Sequence, residues 1–248
     1  MTYRSQTSVV YNREMRVEPY GVGSVLHVTK RGTRGMEIVR DEVDRHRFMR
    51  SLFYANDTHM DDNWRKTIVG LGPFERPVEW PDREPLVRVL AWTLVPNHFH
   101  LLLEEIREAG VSKFMQRLCG SMSAYFNAKY TERGSIFQGA YRSRTVSEDS
   151  HLRYLTFYIQ VKNVLELYPG GLERAMKNFD RAWAWALQYR FSSLPAFVAY
   201  ADTPITDSVL LRDLYPDSVA FKHEAYDLLL GHLEHHTGDF AAVALEPW

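Results

Sequence analysis

The 248-residue sequence predicts an α+β fold of ferredoxin-like type, an antiparallel sheet with helices on one face, followed by a C-terminal helical extension. Three observations carry this reading. Short β-rich runs and amphipathic stretches follow one another as strand, helix, two strands, helix, strand, helix. The paired strands flank Pro96-Asn97, a turn signal between two apolar runs and hence the mark of a β-hairpin. Beyond Pro169-Gly170-Gly171 the recognisable elements are all helical. The expected organisation is an irregular arm over 1–19, an α+β domain over 20–165 and a helical extension over 166–248.

Bulk composition narrows the function classes. Hydrophobic residues make up 45% and charged residues 25%, as in ordinary globular proteins. With Lys+Arg 30 against Asp+Glu 31 the formal net charge is -1, so a nucleic-acid surface has to come from local clustering. The single cysteine, Cys119, cannot form an internal disulfide, which suits a reducing, cytoplasmic setting. No stretch reads as an apolar leader or bilayer span, so no membrane partner is expected.

Each element has its own justification. Ser24 to Thr29 is β-rich, is bounded by glycines, and runs into the basic loop Lys30-Arg31-Gly32-Thr33-Arg34-Gly35. Asp41 is a suitable N-cap for a helix to about Asn56, with Val43, Phe48, Leu52 and Phe53 as its buried stripe. Residues 57–85 read as an irregular excursion. Ser112 is the expected cap of a second helix, with Phe114, Leu118, Met122, Tyr125 and Phe126 at helical spacing and Gly134 as its stop. Tyr141 to Val146 reads as the last strand, placing Arg142 and Arg144 on one face. That pair is either a cationic stripe or an edge-strand guard. Ser147 or Asp149 caps a third helix to about Leu165, packed through Leu152, Leu155, Ile159 and Val164. Residues 172–189, 208–214 and 218–236 read as further helices.

Several residues invite chemistry. Strand alternation puts His98 and His100 on one face and Phe99, Leu101 and Leu103 on the other. Two imidazoles are fewer ligands than the three or four of a metal site, so spacing alone favours two histidines on the wet face of a strand. Tyr158 in the third helix is by position an amphipathic packing residue with its hydroxyl at the rim. His232, His235 and His236 near the end form either a metal-binding cluster or a solvated helix face.

Taken in order, the motifs resemble those of the REP-associated tyrosine transposases, a bacterial branch of the HUH single-tyrosine, single-strand DNA transposases. Val28-Thr29-Lys30-Arg31-Gly32 resembles that family's first strand and basic loop. Leu94-Val95-Pro96-Asn97-His98-Phe99-His100-Leu101-Leu102 is similar to its Met-Pro-Asn-His-hydrophobic-His-Leu-Leu signature, with Val95 in place of Met. Phe114-Met115-Gln116-Arg117-Leu118 and Tyr125-Phe126-Asn127 resemble its second helix. Gly134-Ser135-Ile136-Phe137-Gln138-Gly139 resembles Gly-x-hydrophobic-Trp-Gln-Gly, and Tyr158-Ile159 stands where the family has Tyr-Ile-x-x-Asn-Pro-Val. Arg190-Phe191-Ser192-Ser193 resembles a later Trp-Ser-Ser motif, and the likeness spans roughly residues 24 to 195.

The resemblance implies a metal-dependent DNA transesterase acting on single-stranded or hairpin DNA, as a monomer or homodimer. Tyr158 would be the nucleophile that forms a 5′-phosphotyrosine link. His98 and His100, with one more polar ligand, would hold Mg²⁺ or Mn²⁺ against the scissile phosphate. Lys30, Arg31, Arg34, Arg142 and Arg144 would contact the DNA backbone. The chain departs from the family where Asn is usual four residues after the tyrosine: it has Lys162 there and Asn163 next. Three accounts follow. Asn163 serves as the metal ligand through a local helix adjustment, Lys162 supplies charge to the DNA site directly, or the site is degenerate and the protein only binds single-stranded or hairpin DNA. A zinc-stabilised interaction module is a further reading from a different class.

Overall fold

The computed structural model describes residues 20–61, 63–235 and 245. The arm expected over 1–19 and His236 of the tail cluster lie outside the described residues, as does the side chain of His235.

Strand β1 (Val25–Arg31) leads through a 3₁₀ turn at Thr33–Gly35 to helix α1 (Glu42–Tyr54), and a short helix α2 (Trp64–Thr67) lies in the excursion before the hairpin. The hairpin is β2 (Val87–Val95) and β3 (His98–Glu105), followed by α3 (Gly110–Tyr130) and β4 (Arg142–Val146). Helix α4 (Asp149–Phe157) runs without a break into a π-helical turn, Tyr158–Lys162, and α5 (Asn163–Leu165). The extension consists of α6 (Gly171–Lys177), α7 (Phe179–Ala186), α8 (Leu194–Val198), α9 (Val209–Arg212) and α10 (Ser218–His235).

The strands form one antiparallel sheet in the order β2-β3-β1-β4, the ferredoxin-like arrangement the sequence predicts. Residues directly across an antiparallel ladder share a face, so the register fixes two distinct surfaces. Leu26, Val28, Trp92, Leu94, Phe99, Leu101 and Leu103 pack under α1 and α3 with Phe48, Leu52, Phe114 and Leu118. The opposite face carries the polar residues of β1 and β3 at its centre. Its apolar margin (Ala91, Leu102, Val146) packs with α4, the π turn and the extension.

Helix α1 is capped as its sequence asks. The Asp41 side chain accepts from the Asp44 N–H while Asp44 bonds back, a complete capping box. Four expectations are corrected. Val43 is 63% exposed, one position off the buried stripe. Helix α3 starts two residues before Ser112, after Ala109 in a left-handed conformation, and ends at left-handed Thr131, before Gly134. Glu148 stands at the N-cap position of α4 without a side-chain capping bond. The helical stretch over 172–189 divides at Asn178, whose non-helical backbone starts α7 and whose side chain accepts from the Arg181 N–H.

Candidate active site

The hairpin turn is locked before any functional group is placed. The Gly32 N–H donates to the Asn97 carbonyl at 2.8 Å, the Ile38 N–H donates to the Pro96 carbonyl at 2.8 Å, and the Asn97 amide donates to the Gly35 carbonyl. The glycine-containing loop after β1 thus wraps the start of β3. A side chain at position 32 would strike the Met36 carbonyl, with a Cβ only 2.0 Å away, so glycine is needed for this close approach.

On β3, His98 and His100 share one face as alternation requires, with ring centroids 5.0 Å apart. That face is not wet: His98 is 9% exposed and His100 is fully buried. His98 Nδ1 lies 2.7 Å from Asn97 Oδ1 and His100 Nδ1 lies 2.8 Å from His27 Nε2. The Nε2 atom of His100 is buried with no hydrogen-bond partner. Burial holds the His100 imidazole well below the usual histidine pKa, aided by the neighbouring His27, His98 and Lys162, so its neutral form prevails at pH 7. His27, a β1 residue on the same face, was missed by sequence reasoning. Its signal was present in the alternation Leu26-His27-Val28-Thr29, but the cross-strand register was needed to bring it beside His100.

Tyr158 packs over this cluster. Its ring centroid is 5.4 Å from that of His100 and 5.9 Å from that of His27, both edge-on. It is fully buried rather than at the rim, because the extension closes over α4. From Tyr158 the helix widens into i→i+5 bonding, with the Asn163 N–H donating to the Tyr158 carbonyl. This π turn brings Asn163, five residues on, next along the axis from Tyr158. Two bonds from outside the helix reach this turn: the Thr93 hydroxyl of β2 donates to the Ile159 carbonyl, and the Ser193 hydroxyl donates to the Gln160 side-chain oxygen at 2.9 Å. Ser193 is fixed in turn, because the Phe191–Ser193 segment extends the sheet beside β2 (Leu94 N–H to Phe191 carbonyl, Ser193 N–H to Trp92 carbonyl). The Asn163 side chain is 1% exposed, and neither its oxygen nor its nitrogen has a hydrogen-bond partner. Lys162 is also buried, its ammonium 4.7 Å from the Tyr158 ring centroid and 2.9 Å from the Glu166 carboxylate.

The cations fall into two groups. Arg142 lies across β1 from Thr29 and Arg144 from His27, which puts both on the histidine face beside Arg31, the partner of His98. Arg34 is exposed in the adjoining loop with left-handed φ of 56°. Lys30 is corrected. Alternation turns it to the other face, where it is 6% exposed and donates to the Gln138 and Gly139 carbonyls. It pins the segment before β4, and burial lowers its pKa.

Among the described residues no group of three or more His, Cys, Asp or Glu is placed to hold a metal. The donors present nevertheless suit a divalent ion that also takes oxygen from an amide, a phosphate and water. Asn97 holds His98 Nδ1 and so orients its ring, while His100 Nε2 and the Asn163 amide are buried polar atoms in want of a partner.

Comparison with known proteins adds to this geometry. Residues 83–162, from just before β2 to the end of the π turn, match the family model described as "Transposase IS200 like". The matched stretch covers about a third of the chain. It contains the hairpin histidines, α3, β4, Tyr158 and Lys162, and stops one residue short of Asn163. No curated protein matches the chain. A solved structure described as "Structure of the REP associates tyrosine transposase bound to a REP hairpin" is similar at 13% identity and TM-score 0.45, covering 78% of this chain and 94% of that one. No described helix is long and apolar enough to cross a membrane.

Proposed function

We propose that this protein cuts and rejoins single-stranded or hairpin DNA through a 5′-phosphotyrosine intermediate, assisted by Mg²⁺ or Mn²⁺, in the cytoplasm. The observation that carries the reading is the packing of Tyr158 against His100, itself beside His98, in a buried cluster where His100 Nε2 has no partner, with the equally unpartnered Asn163 amide on the residue whose backbone N–H bonds the Tyr158 carbonyl. In the reaction the Tyr158 oxygen forms a bond to phosphorus as the bond from phosphorus to the 3′ oxygen breaks. The phenolic proton leaves Tyr158 and a proton completes the 3′-hydroxyl, so phosphodiester energy is kept in the tyrosine link and rejoining is the reverse step. When bound at His98, His100 and Asn163, a divalent ion supplies charge relief to the scissile phosphate. Asn97 and His27 orient the two imidazoles, and the Lys162 ammonium over the Tyr158 ring stabilises developing phenolate charge. Arg31, Arg34, Arg142 and Arg144 flank the histidines and suit the DNA backbone.

A second reading, a catalytically degenerate binding protein, draws on one observation: Tyr158 and Lys162 are both closed off from solvent, with a cation in the cluster. The test is incubation of wild type and Tyr158→Phe with labelled hairpin DNA from the repeats flanking its gene, with Mn²⁺, Mg²⁺ or EDTA. An adduct on a denaturing gel that needs metal and disappears in Tyr158→Phe is expected. Binding without an adduct moves the assignment to the second reading.

A further inference from the structure

We infer that the helical extension carries a second nucleic-acid site, a basic and aromatic cleft between the end of α5 and helices α6 and α7 that seats a nucleotide of single-stranded DNA. This rests on the reading of the protein as a DNA transesterase and names a further contact for its substrate. The cleft has a volume of about 400 Å³ and is lined by Tyr168, Arg174, Lys177, Asn178, Arg181 and Trp185, with no carboxylate in its wall. Arg174, Lys177 and Arg181 are exposed.

Elsewhere in the extension Lys222 pairs with Asp180 and Arg212 with Asp202, whereas Arg174, Lys177 and Arg181, like Arg190 outside the cleft, have no ion pair among the described residues. Three like charges around one cavity repel each other until an anion arrives, and phosphate is an anion they suit. The rings provide the second half of the recognition. Trp185 is half-buried, unlike Trp183 two positions earlier, which is 6% exposed and packs in the core. Its indole is braced by Tyr189, stacked at 6.3 Å, and by Tyr168, edge-on at 5.5 Å. A braced ring at the wall of a cationic cleft is the arrangement on which bases stack without sequence preference. Tyr168 follows Lys162 by six residues, just past the end of α5 at Leu165.

The experiment uses the full chain and an oligothymidylate carrying 5-iododeoxyuridine as probe. Irradiation and peptide mapping are expected to place crosslinks on Trp185 or Tyr168. Arg174→Ala with Arg181→Ala, exposed changes that leave the fold intact, should lower the salt slope of binding by about 0.7 per cation removed. Trp185→Leu should weaken binding roughly fivefold or more. Crosslinks confined to peptides outside the cleft, with an unchanged salt slope, overturn the second site while leaving the transesterase reading intact. Displacement by polyglutamate as effective as by unlabelled oligothymidylate makes the cleft a seat for acidic peptides and also overturns it. A metal-dependent Tyr158 adduct is scored separately, so its absence counts against the transesterase alone.

Discussion

On the α1–α3 side of the sheet, the fully buried Asp44 accepts from the Arg40 and Asp41 N–H groups, the Tyr125 and Tyr130 hydroxyls and the Lys129 ammonium. On the other side, equally buried His100 and Asn163 keep polar atoms with no hydrogen-bond partner. A buried polar atom left unsatisfied costs on the order of 1–3 kcal/mol, so the second arrangement is a standing expense that the first avoids. The difference teaches where to look for function: the carboxylate whose bonding is filled holds the fold, and the neutral imidazole and amide left open mark where a ligand would be taken.

The largest expected effect is on the saturated side. Asp44→Ala removes the acceptor of five donors and half of a capping box, and should cost about 3 kcal/mol in urea unfolding. Adduct yield per folded molecule at Tyr158 should stay at the wild-type level. A loss of chemistry beyond the loss of folded protein would show that the two faces are coupled.

Next in size is the pH response of the same residue. Burial alone would push the Asp44 carboxyl up, but the bonds from Lys129, Arg40, Tyr130 and Tyr125 outweigh it and hold the pKa at about 2. A depressed carboxyl pKa stabilises the fold above the unfolded value of about 3.9 and loses that contribution as pH falls toward the folded value. Stability should therefore fall by roughly 2 kcal/mol between about pH 4 and pH 2 on this account. In Asp44→Asn this part of the acid slope should vanish; an unaltered slope would place the acid lability elsewhere.

On the open side the sign reverses. Asn163→Leu removes an amide with no partner and should raise stability by about 1–2 kcal/mol, read as a higher urea midpoint at unchanged slope. The same change should abolish metal-dependent adduct formation. A destabilised Asn163→Leu would mean that the amide is already satisfied in solution, and the contrast between the two faces would fail.

Much of this arrangement was legible in the sequence. Apolar alternation on either side of Pro96-Asn97 set the hairpin and the common face of His98 and His100, and Asp41 announced its helix. The same alternation separates Lys30 from Thr29 and Arg31, yet a basic loop invites counting its cations together, and so Lys30 was misplaced. The π turn is a different kind of omission. It is met by bonds from Thr93 of β2 and Ser193 from beyond α7, contacts with no local sequence signal. With α-helical spacing assumed, Lys162 takes the bonding position after Tyr158; the widened turn passes the backbone bond to Asn163 while the Lys162 ammonium stays over the tyrosine ring.

The smallest expected effect separates the two functional readings most cleanly. If His98, His100 and Asn163 accept a divalent ion, Mn²⁺ at about ten times its dissociation constant should stabilise the fold by about 1.4 kcal/mol through mass action. For a chain of this size that is a rise in melting temperature of about 3–6 °C. His100→Ala should abolish the rise, because it removes the buried Nε2 that has no partner. Lys162→Ala should preserve or enlarge it, since the ammonium that shares the cluster repels an incoming cation. Under the degenerate reading Lys162 itself stands in for the ion. Wild type should then show no shift and Lys162→Ala should gain one, so the comparison of the two proteins, rather than either alone, decides what the open side of the sheet is waiting for.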